Sequence, residues 1–324
     1  MKRLDYYWNS INAVSIILLP LSGIFYLVSR YRSHLYQLGF FKSYKAPLPV
    51  IVIGNITVGG TGKTPLIIEL VKQLQAQGRK PGVISRGYGG NATTWPQVVN
   101  AQTDALKVGD EPQLIFQQTS CPVVVGANRK QDIELLMKEF DCDVVLSDDG
   151  LQHYAMQRDI EIVVVDALRK FGNGFYIPSG PLRESVSRLQ HVDMVLLNGG
   201  ADQEIAFTMQ PAQCKPVGRD DDQVGLDVFT GKTVHAVAGI GNPQRFFNML
   251  KGYDINVIPH AFDDHYYYKQ SDLDFNDDIT VLMTEKDAIK CTRFDLSNHW
   301  SVPIEISLTK AAQNRLDQIF DSLN

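Results

Sequence analysis

The sequence predicts an α/β protein with a doubly wound, mostly parallel sheet, a second, smaller α/β domain and an N-terminal membrane-associating helix. Three observations support this fold class. Short apolar segments of strand length alternate with amphipathic stretches from Pro49 onward. The chain has 324 residues, which is too long for one ordinary domain and fits two. Residues 11–29 are mostly apolar.

The N-terminal apolar segment is the first predicted element. At about 100° per residue its polar side chains fall on one narrow side of a helix, and apolar side chains cover the rest. This pattern favours a monotopic helix that lies in a membrane surface, with a spanning helix and a helix packed on the protein as alternatives. Arg30 and Arg32 follow the segment, whereas a cleaved signal peptide would need small residues there. The polar residues are Asn9, Asn12, Ser15, Ser22, Tyr26, Ser29 and Ser33.

The charge of the chain is unevenly distributed. Residues 1–46 contain six basic residues and one acidic residue, Asp5, so this segment carries +5. The whole chain carries -5, so the remainder carries -10. A basic, apolar N-terminus on an acidic body predicts an anionic membrane surface as a partner, and the acidic body argues against nucleic acid. The basic residues are Lys2, Arg3, Arg30, Arg32, Lys42 and Lys45.

Strands and helices are predicted along the rest of the chain. The domain ranges are 1–46 for the helical segment, 47–205 for the first α/β domain, 206–232 for a linker and 233–324 for the second domain. The linker is placed in a polar stretch that holds two prolines and the acidic run Asp220–Asp222. The predicted strands are 50–55, 81–85, 122–126, 143–147, 160–165, 194–198, 234–238, 255–258, 279–283 and 303–307, and two of the predicted helices are 64–77 and 129–140.

A glycine-rich segment, GNITVGGTGKTP at 54–65, joins the first predicted strand to the first helix of the sheet. Its glycines let backbone N–H groups wrap around phosphate oxygens, and the helix N-terminus favours negative charge. It matches the P-loop pattern G-x-x-x-x-G-K-[ST], except that Thr57 takes the first glycine position. Lys63 is predicted to reach the β- and γ-phosphates and to act in catalysis. The predicted ATP-binding residues are Thr57, Val58, Gly59, Gly60, Thr61, Gly62, Lys63 and Thr64.

Two adjacent acids, Asp148 and Asp149, end the apolar strand predicted at 143–147. Carboxylates at a strand end are typical of the Mg²⁺ ligands of P-loop enzymes, where the Thr64 hydroxyl would also bind the ion. Two acids after a strand are also ordinary turn chemistry. The P-loop beside them favours the metal interpretation, so the sequence predicts a P-loop NTPase-like domain with ATP and Mg²⁺ as cofactors.

Further motifs extend over nearly the whole chain, and together they resemble the tetraacyldisaccharide 4'-kinase family. The resemblance implies transfer of the γ-phosphoryl group of ATP to the 4'-hydroxyl of a membrane-embedded acylated glucosamine disaccharide 1-phosphate, giving lipid IVA in lipid A biosynthesis. It also implies a peripheral, monotopic location on the cytoplasmic face of the inner membrane. No obligate protein partner is predicted. The matching segments are GNITVGGTGKTP at 54–65, SRGYGG at 85–90, GDEP at 109–112, DDGLQH at 148–153, FGNG at 171–174, GPLRE at 180–184, AGIGNPQRFF at 238–247, DHY at 264–266 and TEKDA at 284–288.

The resemblance assigns catalytic roles in the GDEP and DHY segments. Asp110 is the expected general base for the sugar hydroxyl, which is a poor nucleophile without one. Glu111 is expected beside the metal. His265 is expected to pair with Asp110, orienting the carboxylate and tuning its pKa. From the residues alone, Asp110 could equally be a helix cap and His265 a surface histidine.

Several polar residues are predicted to contact substrate or nucleotide. Arg183 suits a phosphate because a guanidinium binds phosphate oxygens bidentately, although Arg183 and Glu184 could also form a surface ion pair. The predicted substrate-binding residues are Arg183, Glu184, Arg86, Gln152 and His153, with Arg129 as a further candidate of the same kind.

Two other functions share these motifs. A membrane-associated P-loop ATPase switch would carry a lysine where this chain has Val58. A kinase for another membrane sugar lipid would keep the chemistry and change only the acceptor. Residues 284–287, TEKD, are shifted by one position from the guanine-reading motif of GTPases, so guanine specificity is not expected.

Overall fold

The computed structural model describes residues 4–202, 204–219 and 223–323, so Lys2, Arg3 and the acidic run Asp220–Asp222 lie outside the described residues. The strands are β1 Val50–Gly54, β2 Pro81–Ser85, β3 Gln97–Val99, β4 Val123–Val125, β5 Val144–Asp148, β6 Ile160–Asp166, β7 Met194–Asn198, β8 Ala206–Pro211, β9 Lys215–Pro216, β10 Thr233–Ala238, β11 Asn256–Ala261, β12 Val281–Thr284, β13 His299–Val302 and β14 Ile304–Leu308. The helices are α1 Ala13–Gln37, α2 Lys63–Ala76, α3 Ala105–Val108, α4 Asp110–Thr119, α5 Arg129–Glu139, α6 Pro243–Lys251, α7 Glu285–Cys291 and α8 Lys310–Asp321. Short 3-10 helices are Leu4–Asn9, Val186–His191, Leu226–Phe229 and Gln270–Asp272.

The chain forms two compact units that are discontinuous in sequence. The first unit contains residues 1–85, 128–208 and 307–324, and the second contains 86–127 and 209–306. These units differ from the predicted ranges, because the chain leaves the first unit after β2 and returns to it twice.

The sheet of the first unit has the strand order β14-β8-β7-β6-β1-β5-β2. Parallel pairing joins β2 to β5, β5 to β1, β1 to β6, β6 to β7 and β7 to β8. Strands β1, β5 and β6 are buried along their whole length, as expected for central parallel strands covered on both faces. The chain places β5 on one side of β1 and β6 on the other. The carboxyl end of β1 is therefore a topological switch point, where ligands of doubly wound sheets bind.

The second unit contains a smaller sheet of order β11-β10-β12-β13-β9. Its pairs are parallel except for β13 with β9, and its core includes Ala236, Phe247 and Leu282. Residues 86–127, which form the antiparallel pair β3 and β4, also belong to this unit. The predicted doubly wound, mostly parallel sheet with a second α/β domain is therefore confirmed.

Two details of the predicted elements need correction. The range 206–232 is not simply a linker, because it contains β8 and β9, and Phe207 of β8 is completely buried. The strand predicted at 303–307 is β14, and a second strand, β13, precedes it. Pro303 separates the two, since proline has no N–H for ladder pairing. Strands β3 and β9 were not predicted, because three and two residues are too few for a periodic pattern.

Helix α1 has 25 residues and continues through Pro20. Asn12 caps it by accepting a hydrogen bond from the Ser15 N–H at 3.0 Å. The Ser22 hydroxyl donates to the Tyr176 carbonyl at 2.7 Å and accepts from the Ser179 N–H at 3.0 Å. The predicted polar side of the helix therefore faces its own unit, with Ser15 and Ser22 buried.

The opposite side of α1 is apolar and exposed. Ile17 is 75% exposed, and Ile24 and Leu27 are more than half exposed. Within the described residues, α1 is the one helix long and apolar enough to cross a membrane, with a mean hydropathy of 1.8 in its best window.

Candidate active site

The phosphate loop lies between β1 and α2, at the switch point of the first unit's sheet. Its backbone reaches the left-handed region at Gly59, with φ of +114°, and at Gly62, with φ of +94°. Gly62 also caps the N-terminus of α2. Glycine is needed at both positions because L side chains rarely adopt such conformations. Lys63 and Thr64 follow in the first turn of α2, where the helix dipole favours an anion.

Thr57 and Val58 pair with the segment that contains Pro181 and Leu182. Thr57 forms an antiparallel bridge with Leu182, and the Val58 N–H donates to the Pro181 carbonyl at 2.8 Å. This strand-like pairing explains why threonine is accommodated at the first glycine position of the motif. It also brings Arg183 to the edge of the phosphate loop.

Lys63 and Arg183 converge on one carboxylate, that of Asp149. The Lys63 ammonium lies 3.3 Å from Asp149 Oδ1, and the Arg183 guanidinium lies 2.9 Å from Oδ2. Burial alone would raise the pKa of Asp149, but the two cations outweigh burial and lower it to about 2. Asp149 is therefore an anion at any physiological pH.

Asp148 ends β5 directly beside β1 and is buried. Its side chain accepts a hydrogen bond from the Ser85 hydroxyl at 3.0 Å, and its carbonyl accepts one from Arg129 at 3.1 Å. Arg129 is itself buried and pairs with Asp132 at 3.4 Å. Arg129 thus contacts the backbone behind the acidic pair, which differs from the predicted contact with phosphate.

The donors at this site fit Mg²⁺. A threonine hydroxyl and two carboxylates are hard oxygen ligands, and Mg²⁺ is usually held by one or two carboxylates together with phosphates and water. Among the described residues, no three His, Cys, Asp or Glu side chains are grouped to hold a metal by themselves. Thr64, Asp148 and Asp149 belong to the first unit, whereas the fourth predicted ligand, Glu111, belongs to the second.

The remaining predicted residues have varied surroundings. Gln152 donates to the Asn55 carbonyl at 3.0 Å and to Glu184 at 2.8 Å. Glu184 also accepts from the Tyr154 hydroxyl at 2.8 Å and lies 3.6 Å from the Arg188 guanidinium. Within the described part of the chain, Arg183 pairs with Asp149 and not with Glu184. The His153 N–H donates to the Gly150 carbonyl in the turn after Asp149. Arg86 follows β2 and is exposed.

A second polar cluster lies in the second unit, around Asp110 at the start of α4. His265 Nδ1 donates to the Asp110 carboxylate and lies 2.9 Å from Oδ1 and 3.1 Å from Oδ2, although 155 positions separate the two residues. Asp110 is 3% exposed. His265 has a φ of +61°, and its ring packs edge-on against Tyr88 with centroids 5.2 Å apart. The expected pairing of these two residues is present in the structure.

Two lysines of α7 also face Asp110. Lys286 and Lys290 lie four residues apart, on one face of the helix, and their ammonium groups are 3.8 and 3.7 Å from Asp110 Oδ2. Lys286 also pairs with Glu111 at 3.0 Å and Asp264 at 3.4 Å. Lys286 lies in the TEKDA segment of the family resemblance and Lys290 lies two residues after it, but neither lysine was predicted to have a role. Their helical spacing was the available signal.

Burial and these cations act in opposite directions on Asp110. Burial would raise its pKa, but the His265 hydrogen bond and the charges of Lys286, His265 and Lys290 lower it overall. Burial likewise would lower the pKa of His265, and the hydrogen bond to Asp110 raises it overall. The pair therefore favours a carboxylate beside an imidazolium.

Three further residues contact the phosphate loop and were not predicted. They are Asn55, Arg169 and Asn198. Arg169 and Asn198 bond to the loop from 109 and 137 positions away, so no local motif could have indicated them.

Comparisons with known proteins agree on one family. The family model for tetraacyldisaccharide-1-P 4'-kinase matches residues 14–321. A tetraacyldisaccharide 4'-kinase from Hahella chejuensis is 47% identical, covering 98% of this chain and 96% of that protein. One from Nitrosococcus oceani is 48% identical, covering 93% and 89%. A crystal structure described as the "apo" form of LpxK from Aquifex aeolicus in complex with ATP superposes with a TM-score of 0.79 at 27% identity, covering 96% of this chain and 99% of that one.

Proposed function

This chain belongs to the tetraacyldisaccharide-1-P 4'-kinase family, and we propose that it transfers the γ-phosphoryl group of ATP to the 4'-hydroxyl of a tetraacylated glucosamine disaccharide 1-phosphate. The observation that carries the proposal is the phosphate loop, with Lys63, Arg183 and Asp149 converging at its edge. The product would be lipid IVA, an intermediate of lipid A biosynthesis.

The first unit supplies the nucleotide-binding half of the reaction. Backbone N–H groups of the loop bind the phosphates, and Lys63 places a positive charge at the β- and γ-phosphates. Arg183 is held at the loop by backbone pairing, and its guanidinium adds a second positive charge that would contact a phosphate of ATP or of the substrate. Gln152, His153 and Glu184 of the same unit are proposed to bind the substrate or the nucleotide. Arg86, which belongs to the second unit, is proposed to bind the substrate.

Thr64, Asp148 and Asp149 are the residues that would hold Mg²⁺. The ion supplies charge neutralisation for the phosphoryl group in transit. Asp149 pairs with Lys63 and Arg183, which keeps it anionic. The same anionic carboxylate is the form that a divalent cation requires.

The second unit supplies the base. The 4'-oxygen attacks the γ-phosphorus, the bond from the γ-phosphorus to the β–γ bridging oxygen breaks, and Asp110 accepts the hydroxyl proton. The transition state of such transfers is loose, so the proton leaves late and a carboxylate of low pKa is sufficient. His265 orients Asp110 through the Nδ1 hydrogen bond.

We further propose that α1 holds the enzyme on the cytoplasmic face of the inner membrane as a monotopic helix. Its exposed apolar side suits the lipid, whereas its polar side is bonded to Tyr176 and Ser179 of the same unit. A spanning arrangement would have to break these hydrogen bonds and move the serines into hydrocarbon, where each unpaired group is costly. The acceptor, a lipid-linked sugar, lies in the same anionic surface.

The activity is tested with purified protein, labelled ATP and the disaccharide 1-phosphate in detergent micelles. Label should appear in the lipid only when ATP and Mg²⁺ are both present. Label transfer to a different sugar lipid, with none to this acceptor, would refute the acceptor but not the kinase chemistry.

The membrane arrangement is tested with a protease-sensitive tag fused before Met1. In intact spheroplasts, protease outside the cell should leave the tag uncut, and lysis should expose it. Cleavage in intact spheroplasts would show that α1 spans the membrane. As a second measurement, the double variant Ile17→Glu, Ile24→Glu should lose binding to anionic vesicles while keeping its melting temperature, because both positions are exposed.

A further inference from the structure

Three consecutive carbonyl groups of the phosphate loop are each bonded to a different side chain. The Asn55 amide donates to the Gly59 carbonyl at 3.4 Å, Arg169 donates to the Gly60 carbonyl at 2.6 Å, and Asn198 donates to the Thr61 carbonyl at 2.9 Å. All belong to the first unit. The side chains come from the ends of β1 and β7 and from the turn after β6.

Because the peptide group is planar, the contacts to these carbonyl groups also fix the direction of the neighbouring backbone N–H groups. In a trans peptide, the carbonyl of one residue and the N–H of the next point in opposite directions. Fixing the carbonyls of Gly59, Gly60 and Thr61 therefore fixes the N–H groups of Gly60, Thr61 and Gly62 on the other side. Successive N–H groups that converge in this way form an anion-binding concavity.

Arg169 is itself held in place before it reaches the loop. Asp166, at the end of β6, accepts hydrogen bonds from the N–H groups of Leu168 at 3.0 Å and Arg169 at 2.9 Å. The Asp166 carboxylate also lies 3.4 Å from Arg169 Nε. The turn therefore presents the guanidinium against the outer side of Gly59 and Gly60, where its side chain keeps 35% of its surface exposed.

Asn198 fits the loop closely from the other side. It is 1% exposed, and a Cβ added at Gly62 would lie 2.6 Å from its amide nitrogen. Gly62 is thus required by this contact as well as by its φ. Asn198 has little freedom to bond elsewhere without moving the loop.

We propose that Arg169 and Asn198 are positioning residues of the phosphate loop. They hold the loop's carbonyl groups outward so that its N–H groups meet the nucleotide's phosphates. The proposal rests on the proposed function, since it assumes that the loop binds ATP. Because it acts through the loop backbone, loss of Arg169 affects ADP and ATP alike.

The test compares Arg169→Met with Lys170→Met, which removes the same charge from an exposed neighbour on the same turn. Dissociation constants for ADP and ATP are measured by isothermal titration calorimetry on the full chain. Arg169→Met should weaken both nucleotides by roughly tenfold, the loss expected for one charged hydrogen bond. Lys170→Met should leave both nearly unchanged. The melting temperature without nucleotide is measured for both variants, and the affinities are compared at a temperature at which each variant is folded.

Arg169→Lys provides the conservative variant. It keeps the charge and one donor, so it should recover part of the lost affinity for both nucleotides. Equal affinities in Arg169→Met and Lys170→Met would overturn the proposal. A loss confined to ATP would also overturn it, because that pattern indicates direct contact with the γ-phosphate. A wild-type protein that binds no nucleotide would remove the proposed function itself, which is a separate result.

Discussion

The phosphate loop and the Asp110 cluster solve different physical problems. The loop is one contiguous segment whose binding groups are backbone N–H groups, so it depends on glycine conformations and on side chains that hold its carbonyls. The Asp110 cluster is assembled from three segments, with His265 at 155 positions from Asp110. The stability of this cluster depends on balancing the charges of buried carboxylates with those of nearby cations. A site made of backbone is specified by local sequence, whereas a site made of side chains is specified by the fold.

The two carboxylates at these sites show the same contrast. The Asp149 side chain is 36% exposed and is matched by two cations, Lys63 and Arg183. Asp110 is almost fully buried and has three cations around it. Buried carboxylates need more compensation because desolvation penalises the charged form. The second site should therefore respond more strongly in stability, and the first more strongly in catalysis.

Lys63→Ala gives the largest expected change in activity and tests the first site. Loss of a charged group at the transferring phosphate should lower kcat by roughly 10³-fold or more. The measurement is label transfer from ATP to the disaccharide, with the melting temperature as a check on folding. Lys72→Ala, an exposed lysine on the same helix α2, is the matched control and should retain wild-type activity. Near wild-type turnover in Lys63→Ala would refute the phosphate-loop assignment.

Asp110→Asn tests the base in the second site and should have the next largest effect. It should lower kcat by roughly 10²-fold while changing the KM for ATP little, because the base acts only in the transition state. Asp104→Asn is the control, since Asp104 caps α3 and asparagine caps equally well. A variant whose defect is confined to ATP binding would exclude Asp110 as the base.

Combining Asp110→Asn with a substitution at His265 sharpens this test. When two residues act as one unit, the free-energy effects of their substitutions on catalysis do not add, whereas the effects of independent residues do add. The double variant should therefore have a kcat close to that of Asp110→Asn alone. A loss equal to the product of the two single losses would separate His265 from the role of Asp110.

The phosphate loop could be predicted from the sequence more fully than the Asp110 cluster, because the loop is local in the chain and the cluster is not. The loop from Thr57 to Thr64 was predicted from its own residues, because the glycine spacing and the flanking strand and helix are local. The pairing of Asp110 with His265 came only from the family resemblance, since no local pattern joins them. Arg169 and Asn198 were missed because the parallel sheet brings strand ends together that lie far apart in the chain.

The fold shows the same division. The fully buried central strands β1, β5 and β6 were predicted close to their observed bounds, because buried parallel strands have mostly apolar sequences. β8 was assigned to a linker, since its outer residues are polar and only Ala206 and Phe207 are buried. The division of the chain into interleaved units also depends on pairing between distant segments. Domains predicted as consecutive ranges of residues therefore missed the interleaved units.

Lys286→Met tests whether the second site depends on charge compensation for stability. It would leave Asp110, Glu111 and Asp264 with one cation fewer, and it should lower the free energy of unfolding by about 2 kcal/mol. Urea denaturation measures this difference. Lys251→Met, at an exposed position of α6, should change it by less than about 0.5 kcal/mol. Equal effects of the two substitutions would show that the cluster is not held together by Lys286.

The smallest expected effect is the pH dependence of the Asp110–His265 pair, measured with His265→Asn. Asparagine can place a donor near the position of Nδ1 and tolerates the left-handed backbone at φ of +61°, but it cannot be protonated. The stability difference between wild type and this variant therefore reports the imidazolium charge. It should reach roughly 1 kcal/mol, as expected for the charged component of one hydrogen bond.

The sign of this dependence follows from the two pKa shifts. Folding raises the pKa of His265 above its ordinary 6.5, so its contribution is fully present below pH 6.5 and is lost as pH rises through the folded value. Folding lowers the pKa of Asp110 below its ordinary 3.8, so its contribution is present above pH 3.8 and is lost as pH falls through the folded value. The wild-type advantage over His265→Asn should therefore be greatest between about pH 4 and 6.5 and should shrink at alkaline pH. An advantage that stays constant up to pH 10 would mean that the hydrogen bond, without the charge, is what His265 contributes to the cluster.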